Sequence, residues 1–385
     1  MYLCFSMLLV RLANCPGEVT EEQPLSKSRI VGLGGKDAHP QTKSKTVPPP
    51  TPALALGTTE PDALDCKALL NDFRAGKVEE MNRVEGYEQS YVTRTNTDKP
   101  FYWATHKGVL DKVRSSSFAA GHYYENELTK RIAETFDAKN GKESIMLDVG
   151  GNIGWFSLVA AAHGATKVYT FEPNPANLVR ICESLMLNDW VRDDPSKNIG
   201  VLIAKGVSNS VGTQELYRAD ESNPGSYTFD KEKARDMAMP SDHEGDMTQE
   251  QKSKHLETAV VGKIDLVTLD SFAESHGWFE SRPSIGFFKL DVEGFEPKVI
   301  QGAKRLLESR LVEVLAMELK RKMPKRDKAM IVNAICNAGY DLHMDGRYAG
   351  PHKLVTKKYT KCEEVVDDII NNMYHENLMF RLRQD

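Results

Sequence analysis

A doubly wound α/β sheet is the fold class this sequence predicts, and three observations carry the prediction. From residue 145 onward, short apolar runs alternate with amphipathic helical stretches, the pattern of strands covered by helices. The runs IMLDV (145–149) and GFFKL (286–290) are almost wholly apolar, as strands buried on both faces must be. Glycine and proline punctuate the joins, with Gly164 closing one helix and Pro297 opening another. Seven strands, the last hairpin-like and antiparallel, complete the sheet. Ligands of such sheets lie at the carboxyl ends of the strands, so the chemistry is sought where strands end.

Taken in order, IMLDV leads through three glycines into the helix WFSLVAAAH. KVYTFE (167–172) is the second strand, and the following helix places Leu178, Cys182, Leu185 and Met186 at core-facing spacing. VLIAKGV (201–207) reads as the third strand and GFFKLD (286–291) as the fourth, followed by the helix PKVIQGAKRLLES. LVEVLAMELK (311–320), the helix RDKAMIVNAICNAG, YDLHM, the helix CEEVVDDIINNMY and NLMFRL close the pattern.

At 385 residues the chain accommodates one large domain with appendages. Eight of its 18 prolines fall before residue 62, in a stretch without apolar periodicity, so residues 1–85 read as a weak hydrophobic start and a disordered Pro-rich linker. Residues 86–385 read as the folded domain, with an N-terminal extension (86–140) and an acidic insertion (220–257). That insertion holds ten acids and five bases and reads as a solvated loop, with a lid over a ligand as the sharper alternative.

A net charge of -5 excludes a general pull toward nucleic acid or an anionic membrane. The apolar run at the N-terminus, MYLCFSMLLV, is too short to span a bilayer and has no basic residue ahead of it. It is a poor signal or anchor, and leaves the cytoplasm and the secretory route both open. Six cysteines are widely scattered with no CxxC pair, so no metal site is predicted. Cys182 and Cys336, among apolar helical residues, read as buried free thiols.

The stretch DVGGNIG (148–154) decides the ligand class. A phosphate loop would close with Gly-Lys and a hydroxyl residue, and none is present. A dinucleotide loop would read GxGxxG, whereas the glycines here are Gly150, Gly151 and Gly154, with Val149 in the first place. Asp148 would repel a pyrophosphate and attract a ligand whose local charge is positive, such as S-adenosylmethionine with its ammonium and sulfonium. Glu172 ends the second strand where an acid can accept hydrogen bonds from ribose hydroxyls.

In order and spacing, DVGGNIGWFSL, FEPNPANL, GVSNSVGT, TLDSF and FFKLDVEGFEPKVIQGA resemble the FkbM-type methyltransferases, a branch of the Rossmann-like S-adenosylmethionine-dependent enzymes. The resemblance runs from about Gly121 to about Tyr340. It implies a seven-stranded Rossmann-like methyltransferase sheet and O-methylation of a hydroxyl on a small molecule, sugar or glycan. By position it places the cofactor on Asp148, Gly150, Gly151, Asn152, Gly154, Glu172 and Asn174, with the adenine near Val207 and Ser208. Lys289, Asp291 and Glu293 fall on its KxDxEG pattern.

Asp291 lies at the carboxyl end of its strand, two residues from Lys289 on the same face. It is the candidate to orient or deprotonate an acceptor hydroxyl, with Lys289 balancing charge and Glu293 contacting the cofactor amine. A structural ion-pair network is the competing account of this cluster. Asp291 and Glu318 end neighbouring strands, yet no third ligand follows to complete a divalent-ion site. His122 and Tyr124 are candidates for a pocket wall. KRKMPKRDK (320–328) reads as a solvated helix entry or as a patch for an acidic acceptor; with no interleaved aromatics, RNA ranks low. Two other classes stay in view, an inert adenosyl-binding interaction module and an NAD-linked enzyme.

Overall fold

The computed structural model describes residues 60, 62–83, 87–106, 125–218, 227–231, 234, 260–320, 323–343, 361–371 and 377–384. The leader before residue 60, His122, Tyr124 and most of the acidic insertion lie outside the described residues.

Helix α1 (Cys66–Arg74) starts at Asp65, whose carboxylate accepts from the backbone N–H of Lys67 (2.9 Å) and Ala68 (3.1 Å). A hairpin of β1 (Ser90–Arg94) and β2 (Tyr102–His106) and helix α2 (Asn126–Lys139) lead to β3 (Ile145–Val149). Then β3 runs into α3 (Trp155–Ala162), β4 (Lys167–Phe171) into α4 (Pro175–Leu187), and β5 (Gly200–Ile203) reaches the sheet edge. Strands β6 (Gly206–Val207), β7 (Gly212–Arg218), β8 (Tyr227–Thr228) and β9 (Val260–Val267) leave the main sheet. The chain rejoins it through α5 (Leu269–Ser275), β10 (Ile285–Leu290), α6 (Glu296–Gly302) and β11 (Val314–Glu318). Helix α7 (Lys325–Asn337), β12 (Tyr340–His343), α8 (Cys362–Asn371) and β13 (Asn377–Leu382) follow.

The main sheet has seven strands in the order β12-β13-β11-β10-β3-β4-β5. Strands β11, β10, β3, β4 and β5 are parallel, and β13 runs antiparallel between β11 and β12. Strand alternation sends side chains to two cores: Ile145, Leu147 and Val149 join one apolar cluster, and Met146, Val168, Leu202 and Phe287 join another on the opposite face. Each fully buried side chain of this kind contributes roughly 1.5–3 kcal/mol, which explains why β3, β5 and β10 bury every residue.

Four readings of the sequence change. VLIAKGV is not one strand: β5 ends at Ile203, and Gly206 and Val207 turn away to pair in parallel with Leu266 and Val267 of β9. A second sheet, β6-β9-β7-β8, results. The helix PKVIQGAKRLLES divides at Ala303 into α6 and a short second helix, Lys304–Glu308. Residues 62–83, grouped with the linker on composition, are folded against the domain: Cys66 and Leu70 are buried, and Leu64 N–H donates to the Leu202 carbonyl (2.7 Å).

The fourth concerns the thiols. Cys182 is bonded to Cys66 and Cys336 to Cys362. The first bond spans 116 residues and ties α1 to α4, and the second spans 26 and ties α7 to α8. Neither pairing is visible in local spacing, because helix packing in three dimensions creates both. Closing loops of these lengths stabilises the fold by roughly 3–5 kcal/mol each in the chain-entropy account. No described helix is long and apolar enough to cross a membrane.

Candidate active site

A cleft of about 650 Å³ opens at the carboxyl ends of β3, β4 and β10, the position that a parallel sheet makes available. Six of the predicted site residues line it: Gly150, Asn152, Glu172, Val207, Asp291 and Glu293. A smaller cavity of about 330 Å³ shares Asn152 and Asp291 with the cleft and adds Gly151, Lys289, Trp103, Trp155 and Phe156. Asp291 therefore stands where the two spaces meet. Asp148, Gly154, Asn174 and Ser208 line neither.

Those four have other work. Asp148 is fully buried beneath the loop; its Oδ2 accepts the Ser157 hydroxyl (2.6 Å), and Oδ1 faces Lys289 Nζ at 3.9 Å. Burial holds its carboxyl above the ordinary range, against the pull of Lys289. Asn174 caps α4 by accepting from Ala176 N–H (3.0 Å), and Gly154 opens α3 with φ +84°. Ser208 is buried, and its N–H donates to the Val267 carbonyl (2.9 Å).

The glycines answer first to the protein itself. A Cβ on Gly150 would stand 1.8 Å from the Asp291 carbonyl oxygen, and one on Gly151 2.3 Å from Thr170 Cγ2. Their N–H groups both donate to the Phe171 carbonyl (3.0 Å each). So the loop is drawn tight against β4 and the turn after β10, and its glycines permit that approach.

Glu172 holds the loop from the other side. Its carboxylate accepts from Asn152 N–H (2.7 Å), Asn174 N–H (2.9 Å) and Asn177 Nδ2 (3.4 Å). Burial raises its pKa to about 7, with the three donors opposing. Asn177, which sequence reasoning passed over as a helix residue, lines the cleft as well.

After β10 the segment DVEGFE makes a strained turn, with Glu293 at φ +56° and Gly294 at φ +104°. The buried Glu296 carboxylate secures it by accepting from Val292 N–H (3.1 Å) and Gly294 N–H (3.2 Å). Lys289 Nζ donates to the Gly150 carbonyl (3.0 Å) and to Asp291 Oδ2 (3.4 Å). Lys320 pairs with Glu293 and lies 3.9 Å from Glu318. Burial favours the neutral acid at Asp291, yet Lys289 and Lys320 outweigh it and hold the carboxyl below its ordinary value. Lys320, from the basic run, is thereby occupied within the protein, and Lys328 of the same run is buried. Among the described residues no group of three or more His, Cys, Asp or Glu is arranged to hold a metal ion.

The far wall comes from the second sheet, where Leu216, Tyr227 and Phe229 face the cleft beside Phe295 of the turn. Tyr227 and Phe229 lie inside the acid-rich window; the alternation SYTF was the only local sign of a strand there. Glu80 accepts from the Tyr227 hydroxyl (3.0 Å) and from Arg218 Nη2 (2.7 Å). The segment before the main sheet thus braces the wall.

A mixed α/β sheet with an acid-rimmed, aromatic-walled cleft at its strand ends defines the class of fold and the place of its site. The family model of the methyltransferase FkbM domain matches residues 148–342, just over half of the chain, and the protein belongs to that family. Among solved structures, the chain is similar to the methyltransferase FkbM from Methylobacillus flagellatus at 14% identity and TM-score 0.34, covering 62% of this chain and 43% of that one. It is also similar to a protein from Streptococcus mutans described as a SAM-dependent methyltransferase, at 10% identity and TM-score 0.33, covering 76% and 55%. A further structure, described as a methyltransferase complexed with SAH, shares 9% identity at TM-score 0.31, covering 76% and 55%. The chain spans about half the length of these structures. No curated protein matches it.

Proposed function

We propose that this protein is an S-adenosylmethionine-dependent methyltransferase that methylates a hydroxyl of a small molecule, sugar or glycan. The observation that carries the reading is the cleft itself, where Glu172, Asp291 and Glu293 face an apolar wall of Val207, Tyr227 and Phe229. Three acids and one base, Lys205, line it; Lys289 and Lys320 balance two of those acids from outside the cleft, so the rim offers acceptor oxygens to a ligand's hydroxyls and ammonium and little to a pyrophosphate. The attraction expected at Asp148 thus comes from the rim, since Asp148 acts only through its field from below.

In this reading Glu172 and Asn177 receive the ribose, and Val207 with the aromatic wall receives the adenine. Gly150 and Asn152 present backbone to the amino-acid end, and Glu293 faces its ammonium. Asp148, Gly151, Gly154, Asn174 and Ser208 build the seat without touching its occupant. Bound S-adenosylmethionine supplies a methyl group already activated by its positive sulfur. Asp291, fixed by Lys289, orients the acceptor hydroxyl and helps remove its proton. We read the sheet as doubly wound and Rossmann-like, in keeping with an apolar core on each face. The active domain then includes residues 62–83.

Labelled methyl transfer from S-adenosylmethionine into extracts of cells lacking the enzyme tests this reading. Label on a hydroxyl-bearing metabolite or glycan is expected. Label on nitrogen or carbon would reject O-methylation, and none at all would favour the inert module.

A further inference from the structure

The mechanism above leaves one group unused. Glu318 ends β11 beside Asp291, since Leu290 and Met317 are register partners in the parallel pair. The two carboxyl groups stand side by side at the strand ends, close enough to interact, and Asp291 Oδ1 meets no N–H or hydroxyl donor among the described residues. Two carboxylates offer only acceptors, so such a contact needs a proton between them. We propose that Asp291 and Glu318 share one proton, and that Glu318 is the exit through which the acceptor's proton leaves the active site.

The surroundings determine which partner keeps the proton. Lys289 approaches Asp291 from its own strand, and Lys320 acts on it from beyond β11. Both favour a charged Asp291. Glu318 is raised to about 8 by burial and by the charge of Asp291, with Lys320 opposing and Glu293 adding to the rise. Asp148 from β3 and Glu296 from α6 add further negative charge around Asp291. At neutral pH the pair is Asp291 carboxylate and Glu318 carboxylic acid, with unlike environments setting unlike roles.

An acceptor oxygen that gains a methyl forms an O–C bond while the donor's S–C bond breaks, and it must shed one proton. Asp291 alone is a weak base, because its cations hold it charged. With Glu318 behind it, the acceptor's proton moves onto Asp291 as the shared proton leaves Glu318 for water. The pair ends with the single negative charge it began with. Geometry favours this direction: Asp291 lines both cavities, whereas Glu318 lines neither and its side chain is 26% exposed to solvent.

This inference rests on the methyl-donor reading, and one binding experiment separates the two. S-adenosylmethionine and its demethylated product, S-adenosylhomocysteine, differ near the sulfur by one positive charge; their common ammonium and carboxylate cancel in a ratio of affinities. Calorimetric titration of both with the full chain between about pH 7.5 and 9.5, above the value of about 7 for Glu172 in the same cleft, reads the charge of the pair. As pH passes about 8 the pair gains a second negative charge, and preference for S-adenosylmethionine is expected to rise by about threefold or more. Glu318→Gln, which still donates to Asp291, should show a flat ratio. It should also lower labelled methyl transfer by at least about tenfold with donor affinity at neutral pH unchanged. A flat ratio in the wild type, an equal rise in the variant or an unchanged transfer rate would overturn the relay. Failure of both compounds to bind would instead overturn the methyl-donor reading beneath it.

Discussion

The glycine loop after β3 and the DVEGFE turn after β10 touch one another, yet they are built in opposite ways. In the loop, backbone N–H groups are taken up by the protein: Gly150 and Gly151 donate to Phe171, and Asn152 to Glu172. The turn concentrates charge instead, with Asp291, Glu293, Glu318, Lys289 and Lys320 drawn together and one buried Asp291 oxygen that meets no N–H or hydroxyl donor among the described residues. The loop is a floor whose shape matters; the turn is where chemistry remains to be done. A motif that looks made for a ligand can therefore serve mainly to place its neighbour.

The sharpest way to break this contrast is Gly150→Ala. Its Cβ would meet the Asp291 carbonyl at 1.8 Å in a backbone of φ +83°, so floor and turn must separate. A loss of about 3 kcal/mol or more is expected in urea denaturation, and a near-neutral result would show that the floor is soft. Next comes Asp291→Asn, which leaves the floor intact. Methyl transfer should fall by about a hundredfold while donor affinity stays within about threefold. A matching fall in affinity would move Asp291 from chemistry to binding.

Glu172→Gln tests the floor's one ionisable clasp. Affinity for S-adenosylmethionine should weaken by about tenfold, as for a lost charged hydrogen bond. The variant also has a pH signature. Because the Glu172 pKa is raised from 4.5 to about 7, the folded state holds an extra proton between those values. Stability from this group is then complete below about 4.5 and is lost as pH rises toward 7. Thermal melts of Glu172→Gln should lose that part of the slope, and an unaltered slope would mean that Glu172 is not the group responsible. The smallest effect belongs to Glu293→Gly, which relieves a left-handed backbone but removes the half-exposed pair with Lys320. The two changes should nearly cancel, within about 1 kcal/mol, and a larger loss would mark the pair as structural.

The sequence made the central sheet legible because buried parallel strands are almost wholly apolar, as IMLDV and GFFKL are but for Asp148 and Lys289. Locating strand ends then located Asp291 and Glu172. It concealed what depends on distant packing. Strand β9 carries Lys263 and Asp265 among its apolar residues and adjoins an acid-rich window, so the second sheet and its wall residues Tyr227 and Phe229 were read as loop. Cys66 and Cys182 are brought together only by the packing of α1 on α4. The burial of Asp148 was equally hidden, because a strand-end acid has the same letters whether it points into the cleft or beneath it.

The measurement closest to the central claim is a calorimetric titration of the full chain with S-adenosylmethionine and with NAD. An acid-lined cleft predicts binding of S-adenosylmethionine and none of NAD, with the affinity reduced in Glu172→Gln. Binding of NAD without S-adenosylmethionine would contradict the account of the cleft from its charge upward.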